Sequence, residues 1–220
     1  MIEEGSADAL VVVSLNDKTT FSNQNFALFA AEIQEQQKFN AAFSKEGGLI
    51  LVPNQPYKRF VYAPIGPVNR DHDDIRNFCD AAVMGVSRAM KAGARNVIVQ
   101  LPDSADVPQQ YPNYDLAIIL AVYQFLYSPL ENREFKQVRK LDAISFSGFK
   151  SETRKSDVFS RALAIEAGRA VARDIGGSDP ERMSALKTVD YCRELFQNSN
   201  IEMKIIDNQD FIEKEFPCLG

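Results

Sequence analysis

Residues 73–101 read DDIRNFCDAAVMGVSRAMKAGARNVIVQL, and the change of period inside this stretch decides the fold class. Ile75, Phe78, Ala82, Val86 and Ala89 recur at helical spacing, with Asp73 and Asp74 at the start, Lys91 at the end and Gly93 beyond it. Acids at the first turn, a base at the last and a glycine after it are what a helix dipole and a helix stop favour. The helix feeds Asn96-Val97-Ile98-Val99-Gln100-Leu101, a short apolar run stopped by Pro102. A run of this length and composition predicts a strand buried on both faces.

The same alternation extends in both directions. Ala9-Leu10-Val11-Val12-Val13 predicts another buried strand, and residues 26–43 predict a helix with Phe29, Ile33 and Gln36 on one face, ending near Gly47-Gly48. Apolar runs at 49–52 and 59–65 flank the turn chemistry Pro53-Asn54-Gln55-Pro56, which marks a hairpin. Residues 114–127 form an apolar helix stopped by Ser128-Pro129, and 141–146 a last strand ending at Gly148. Strands alternating with helices predict an α/β fold, a mixed sheet flanked by helices, over residues 7–148.

The charged stretch 150–155 reads as a linker, and Ser156 as the cap of a helix that begins at Asp157. Phe159, Leu163, Ala167, Ala170 and Val171 form one apolar stripe of that helix, and Val158, Ala162, Ile165, Ala172 and Ile175 a second. A helix apolar around most of its circumference and rich in Ala and Gly is expected to be packed from more than one side. Gly176-Gly177 breaks it, and Ser178 with Glu181 fits a capping box for a restarted helix over 183–196, lined by Ala185, Val189, Cys192 and Phe196. Residues 201–206 alternate Ile201, Met203 and Ile205 against Glu202 and Lys204, the pattern of a strand with one buried face. That strand either joins the first sheet or opens a second domain. The expected division is an N-terminal domain over 1–150, a connecting helix over 151–177 and an incomplete second domain over 178–220.

Composition narrows the function classes. At 45% hydrophobic and 25% charged, the chain can bury a sizeable core, and a net charge of -5 leaves little long-range attraction to nucleic acid or anionic membranes, with room only for a local basic patch within the acidic total. Cys79, Cys192 and Cys218 are odd in number and far apart, which fits neither a disulfide set nor CxxC metal spacing and points to a reducing compartment. The start Met1-Ile2-Glu3-Glu4 lacks the basic region of a signal peptide, and the run 10–13 is too short to span a bilayer. A soluble cytoplasmic protein is expected.

The order of elements, with the stretches 75–101 and 162–196, resembles the N-terminal part of the leucyl aminopeptidase family of cytosolic metallopeptidases, family M17. The resemblance implies a macro-domain-like α/β domain, a connecting helix and a catalytic domain that uses two divalent metals, zinc or manganese, to hydrolyse peptides from the N-terminus. It implies as partners the chain's own catalytic domain, a homo-oligomer (a hexamer of two trimers) and the peptide substrates of the parent, and a role for this part in assembly. The family's metal and catalytic motifs, Gly-Lys-Gly with a following Phe-Asp and Asn-Thr-Asp-Ala-Glu-Gly-Arg, do not occur in this sequence. The resemblance therefore implies no catalytic, cofactor or metal residue here, and an inactive chain. Gly176-Gly177-Ser178 also departs from the Asn that members carry before the Pro-containing turn. The alternatives are a stand-alone nucleotide or ADP-ribose binder of the macro type, and a catalytically dead scaffold.

Individual candidates read more simply. His72 lies among Asp71, Asp73 and Asp74, where a metal site is conceivable but capping of the following helix is the expected role. Cys79 reads as a buried small hydrophobe with no second histidine to activate it, and Cys218 as an incidental thiol. Gly47-Gly48 reads as a helix stop or turn rather than a phosphate loop. Glu166, Arg169 and Arg173 read as i, i+3 and i, i+4 pairs, and Tyr111, Tyr114, Tyr123 and Tyr127 as core packing rather than a nucleic-acid groove.

Overall fold

The computed structural model describes residues 7–15, 24–52, 57–136 and 139–218. Two compact units divide the chain: Met1–Ser128 with Asn132–Ala170, and Pro129–Glu131 with Val171–Gly220.

The first unit is built on the alternation of strand and helix. β1 (Ala9–Ser14) is buried at every position, as its unbroken apolar run requires. Helix α1 (Gln24–Phe39) and the short α2 (Phe43–Glu46) lead into β2 (Gly48–Leu51) and β3 (Arg59–Pro64). Helix α3 (Arg76–Lys91) precedes β4 (Asn96–Gln100), and α4 (Tyr114–Leu126) and α5 (Leu130–Lys136) precede β5 (Ala143–Ser147). The five strands lie in the order β2-β3-β1-β4-β5. β3, β1, β4 and β5 are mutually parallel, and only β2 is antiparallel, against β3. The fold is the mixed five-stranded sheet with flanking helices that the sequence predicts, and its hairpin is β2–β3. Residues 53–56, the expected turn, lie outside the described residues.

Side chains alternate between two cores. Val11 and Val13 of β1 join Phe78, Ala82 and Val86 of α3 and Ile118, Ile119 and Val122 of α4, whereas Leu10 and Val12 pack with Phe29 and Ile33 of α1 on the opposite face. Close approach of α3 to the sheet depends on Gly85, where a Cβ would come within 2.5 Å of Val11 Cγ1 and 3.0 Å of Ala63 Cβ. At the N-terminal ends of the strands, Asp8 accepts from the backbone N–H of Arg95 at 2.9 Å and of Asn96 at 3.2 Å. Arg95 in turn grips Asp142 bidentately at 2.6 and 3.2 Å, which ties the starts of β1, β4 and β5 together.

Several local expectations are corrected. The helix expected over 26–43 is two helices, and Gln36 is exposed rather than on the buried face with Phe29 and Ile33. The last strand starts at Ala143 rather than at 141: the backbone N–H groups of Asp142 and Ala143 both donate to the Arg95 carbonyl, so the regular ladder begins only at Ala143. The stretch 150–155 is no linker. Helix α6 (Glu152–Gly177) already includes residues 152–155, with Ser151 rather than Ser156 accepting from the backbone N–H of Arg154 at 3.1 Å. Arg154 then donates to both oxygens of the buried Asp115 carboxylate at 2.6 and 2.7 Å, which docks the first turn of α6 on the start of α4. Of the two apolar stripes expected on α6, only Val158 and Ala162 are buried, with Phe159 packed beside them, and Leu163 and Ile165 are exposed.

In the second unit, α6 ends at Gly177 as the glycine pair predicts, and the restart differs in detail. Asp179, not Ser178, accepts from the backbone N–H groups of Glu181 and Arg182 at 2.9 and 3.0 Å, and α7 (Ala185–Phe196) follows. Ser178 instead donates back to the Asp174 carbonyl at 2.6 Å. The Asp174 carboxylate is buried and accepts from the Tyr191 hydroxyl at 3.0 Å. Residues 201–206 form no strand. Ile201, Met203 and Ile205 are exposed together with Glu202 and Lys204, so alternation in the sequence is not matched by a ladder or by a buried face. Helix α8 (Gln209–Glu215) is capped by Asn208, whose side chain accepts from Phe211 N–H at 2.8 Å.

Candidate functional site

The acids Asp73 and Asp74 beside His72 are taken up by arginine side chains and by backbone N–H groups. Asp73 accepts from the Arg70 guanidinium at 2.7 and 3.1 Å, from the Arg70 backbone N–H at 2.8 Å and from Asn77 at 3.2 Å. The Arg70 bond holds the Asp73 carboxyl well below the usual carboxylate range. Asp74 accepts from Arg76 N–H at 2.8 Å at the start of α3, while His72 projects into solvent. Among the described residues no group of three His, Cys, Asp or Glu side chains could hold a metal.

The other singled-out residues also have structural roles. Burial pushes the Cys79 thiol up to about 11, which keeps it protonated at neutral pH and a poor nucleophile. Gly47 ends α2 with φ +66°, and a Cβ there would run into the Tyr62 carbonyl, so Gly47-Gly48 is a helix stop entering β2. Tyr111 and Tyr114 are buried beside Phe78, with ring centroids at 5.3 and 6.0 Å, and their hydroxyls donate to backbone carbonyls of Val68 and Pro102. Burial raises the Tyr114 phenol to about 12 and the Tyr123 phenol in the same direction. Glu166 and Arg169 approach to 4.0 Å as an i, i+3 pair.

A cavity of about 960 Å³ lies on the first unit between the end of α4, the start of β5 and α6. Tyr123, Leu126, Leu141, Ile144, Leu163 and Ala167 supply apolar walls, and Arg133, Arg139, Lys140, Asp142 and Glu166 the charged ones. Lys140 caps α4 by donating to the Phe125 and Tyr127 carbonyls at 2.6 and 2.9 Å. Arg133 lies 5.7 Å from the Tyr127 ring centre and donates to the Ser128 carbonyl at 3.0 Å. Asp142 is held by Arg95, whose hydrogen bond lowers the acid's pKa. Among the described residues, none of those lining the cavity is set as a nucleophile beside a histidine or other base. Sequence reading missed this cavity because its walls come from segments far apart in the chain. Of its polar lining, only Tyr123, Tyr127 and Glu166 were singled out, each as packing or pairing.

Comparison with known proteins agrees with this fold. No family model matches the chain. The whole chain is 28% identical over 224 aligned residues to a protein of Caenorhabditis elegans named "Putative aminopeptidase W07G4.4", and spans 42% of that protein's length. Among solved structures, the bottromycin maturation enzyme BotP matches 94% of this chain and 41% of its own, with a TM-score of 0.65 and 16% identity. BotP has also been solved in complex with Mn. A variant of tomato leucine aminopeptidase matches 87% of this chain and 39% of its own, with a TM-score of 0.61 and 14% identity. At such identities the two enzymes speak for the fold, and the nematode relative for the sequence. Taken with the order of elements along the chain, the nematode relative indicates an aminopeptidase-like N-terminal part, and the two solved enzymes share its fold.

Proposed function

We propose that this chain is the N-terminal, non-catalytic portion of a metallo-aminopeptidase resembling leucyl aminopeptidase. Residues 1–150 are its α/β domain, 151–177 its connecting helix and 178–220 the first elements of its catalytic domain. The reading rests on one observation above the others: the whole chain aligns with only 42% of an aminopeptidase-type relative. The rest of such a protein would carry two divalent metals, zinc or manganese, to activate water against the scissile carbonyl. The groups described here do not fit a metal centre of that kind, so no step of hydrolysis is assigned to them. The role we assign to this portion is assembly of a cytoplasmic homo-oligomer, a hexamer, and shielding of its active sites. No described helix is long and apolar enough to cross a membrane.

A domain exchange tests the role. The remainder of the nematode relative, produced with and without this chain in place of its matching segment, is weighed by light scattering. The chimera is expected to form the larger oligomer; a remainder that assembles equally well alone would refute an assembly role.

A further inference from the structure

The outer edge of β5 is covered. Phe146 is 5% exposed, with the rings of Tyr123 and Phe159 edge-on to it at 6.0 and 6.1 Å, so the space beside the strand suits a compact guest rather than an added strand. That space, about 960 Å³, has apolar walls that include Tyr123, Leu126, Ile144, Leu163 and Ala167. A hollow of this size and lining fits a small, largely apolar molecule held by a few placed polar groups.

Burial decides which charge that molecule carries. Arg133, Arg139, Lys140 and Asp142 line the cavity as exposed residues, whereas the Glu166 side chain is 15% exposed. The exposed ones are also engaged: Lys140 with the end of α4, Arg133 with Ser128 and Tyr127, and Asp142 with Arg95 at 2.6 Å and with the attraction of Arg139. Water and salt screen charges in such positions, while a carboxylate withdrawn from water acts at a much lower effective dielectric. Bases outnumber acids in the lining, yet the charge that dominates the interior is that of Glu166. Its Oε2 lies 4.0 Å from the guanidinium of Arg169, a 43% exposed side chain, which is a loose pair beside the contact of about 2.8 Å that an ammonium makes with a carboxylate. The Tyr123 ring adds an aromatic face of the kind that attracts cations. We propose that this cavity binds a small apolar amine in its ammonium form, its hydrocarbon part against Leu126, Ile144, Leu163 and Ala167 and its charge on Glu166. The proposal does not depend on the parent's being a peptidase.

Calorimetric titration of the full chain tests it, with 4-phenylbutylamine as the probe and 4-phenylbutanol and 4-phenylbutanoate as the neutral and anionic controls. Saturable binding of the amine is expected, about tenfold tighter than that of the alcohol through one charge-assisted contact, with no binding of the carboxylate. Glu166→Gln should remove the advantage of the amine and leave the alcohol as it was. Ala167→Trp, at an exposed helix position, fills the cavity and should abolish binding of both, which keeps the test decisive if Glu166→Gln does not fold. Absence of saturation by the amine up to about 10 mM, equal binding of the carboxylate, equal loss of amine and alcohol in a folded Glu166→Gln, or indifference to the variants would overturn the proposal. So would tighter binding of Phe-Gly-Gly-amide than of the amine, since the site would then belong to a peptide N-terminus.

Discussion

At the scale of single residues, the glycines and the acids carry the sharpest expectations. Gly47 has a left-handed φ with the Tyr62 carbonyl where a Cβ would go, so Gly47→Ala should destabilise by about 1–3 kcal/mol or more. Gly176 lies in α6 with nothing within 4 Å of a built Cβ, and Gly176→Ala should stabilise by up to about 1 kcal/mol through helix propensity. Urea unfolding of the two variants checks the contrast, which fails if both shift the same way.

Acid should weaken the fold in a defined direction. Hydrogen bonds from Arg70, Arg95 and Arg182 lower the pKa of Asp73, Asp142 and Asp179, the last to about 2. Each acid thus ionises at a lower pH folded than in the unfolded chain, where an Asp titrates at about 3.9. Their contribution is full above about pH 4 and is lost as pH falls through the folded values. Asp142→Asn should flatten the fall of the thermal midpoint between about pH 4 and pH 2; an unchanged slope would remove Asp142 from the account.

At the scale of elements, periodicity made the strands and long helices legible, because β1, β4 and α3 bury regular sets of apolar residues. What it could not supply was partnership. Residues 150–155 look like a linker because they are charged, yet Arg154 finds the buried Asp115 from a distant helix, and no spacing rule connects the two. Residues 201–206 fail in the opposite sense: the alternation is present and the neighbours are not. Two consequences can be measured. Arg154→Ala should leave the Asp115 carboxylate buried without its cation and cost about 3 kcal/mol, with new tryptic cleavage near Lys150 and Lys155 that the parent chain resists. Hydrogen exchange should be fast across 201–206 and slow at 97–99; slow exchange at both would mean that the terminal segment has found a strand partner.

At the scale of the whole molecule, the fold was legible because sheet and helix order are written in local patterns, and the family resemblance because that order runs the length of the chain. The cavity beside β5 was not, since Tyr123, Arg139, Ile144 and Ala167 meet only after folding. The absence of catalytic motifs was legible at once, and it sets the central claim. Purified chain, incubated with leucine p-nitroanilide and added Zn²⁺, Mn²⁺ or Mg²⁺, tests that claim most directly. The account predicts no release of nitroaniline above the metal-only blank. Turnover that requires metal, follows the protein through purification and is abolished by a chelator would contradict it.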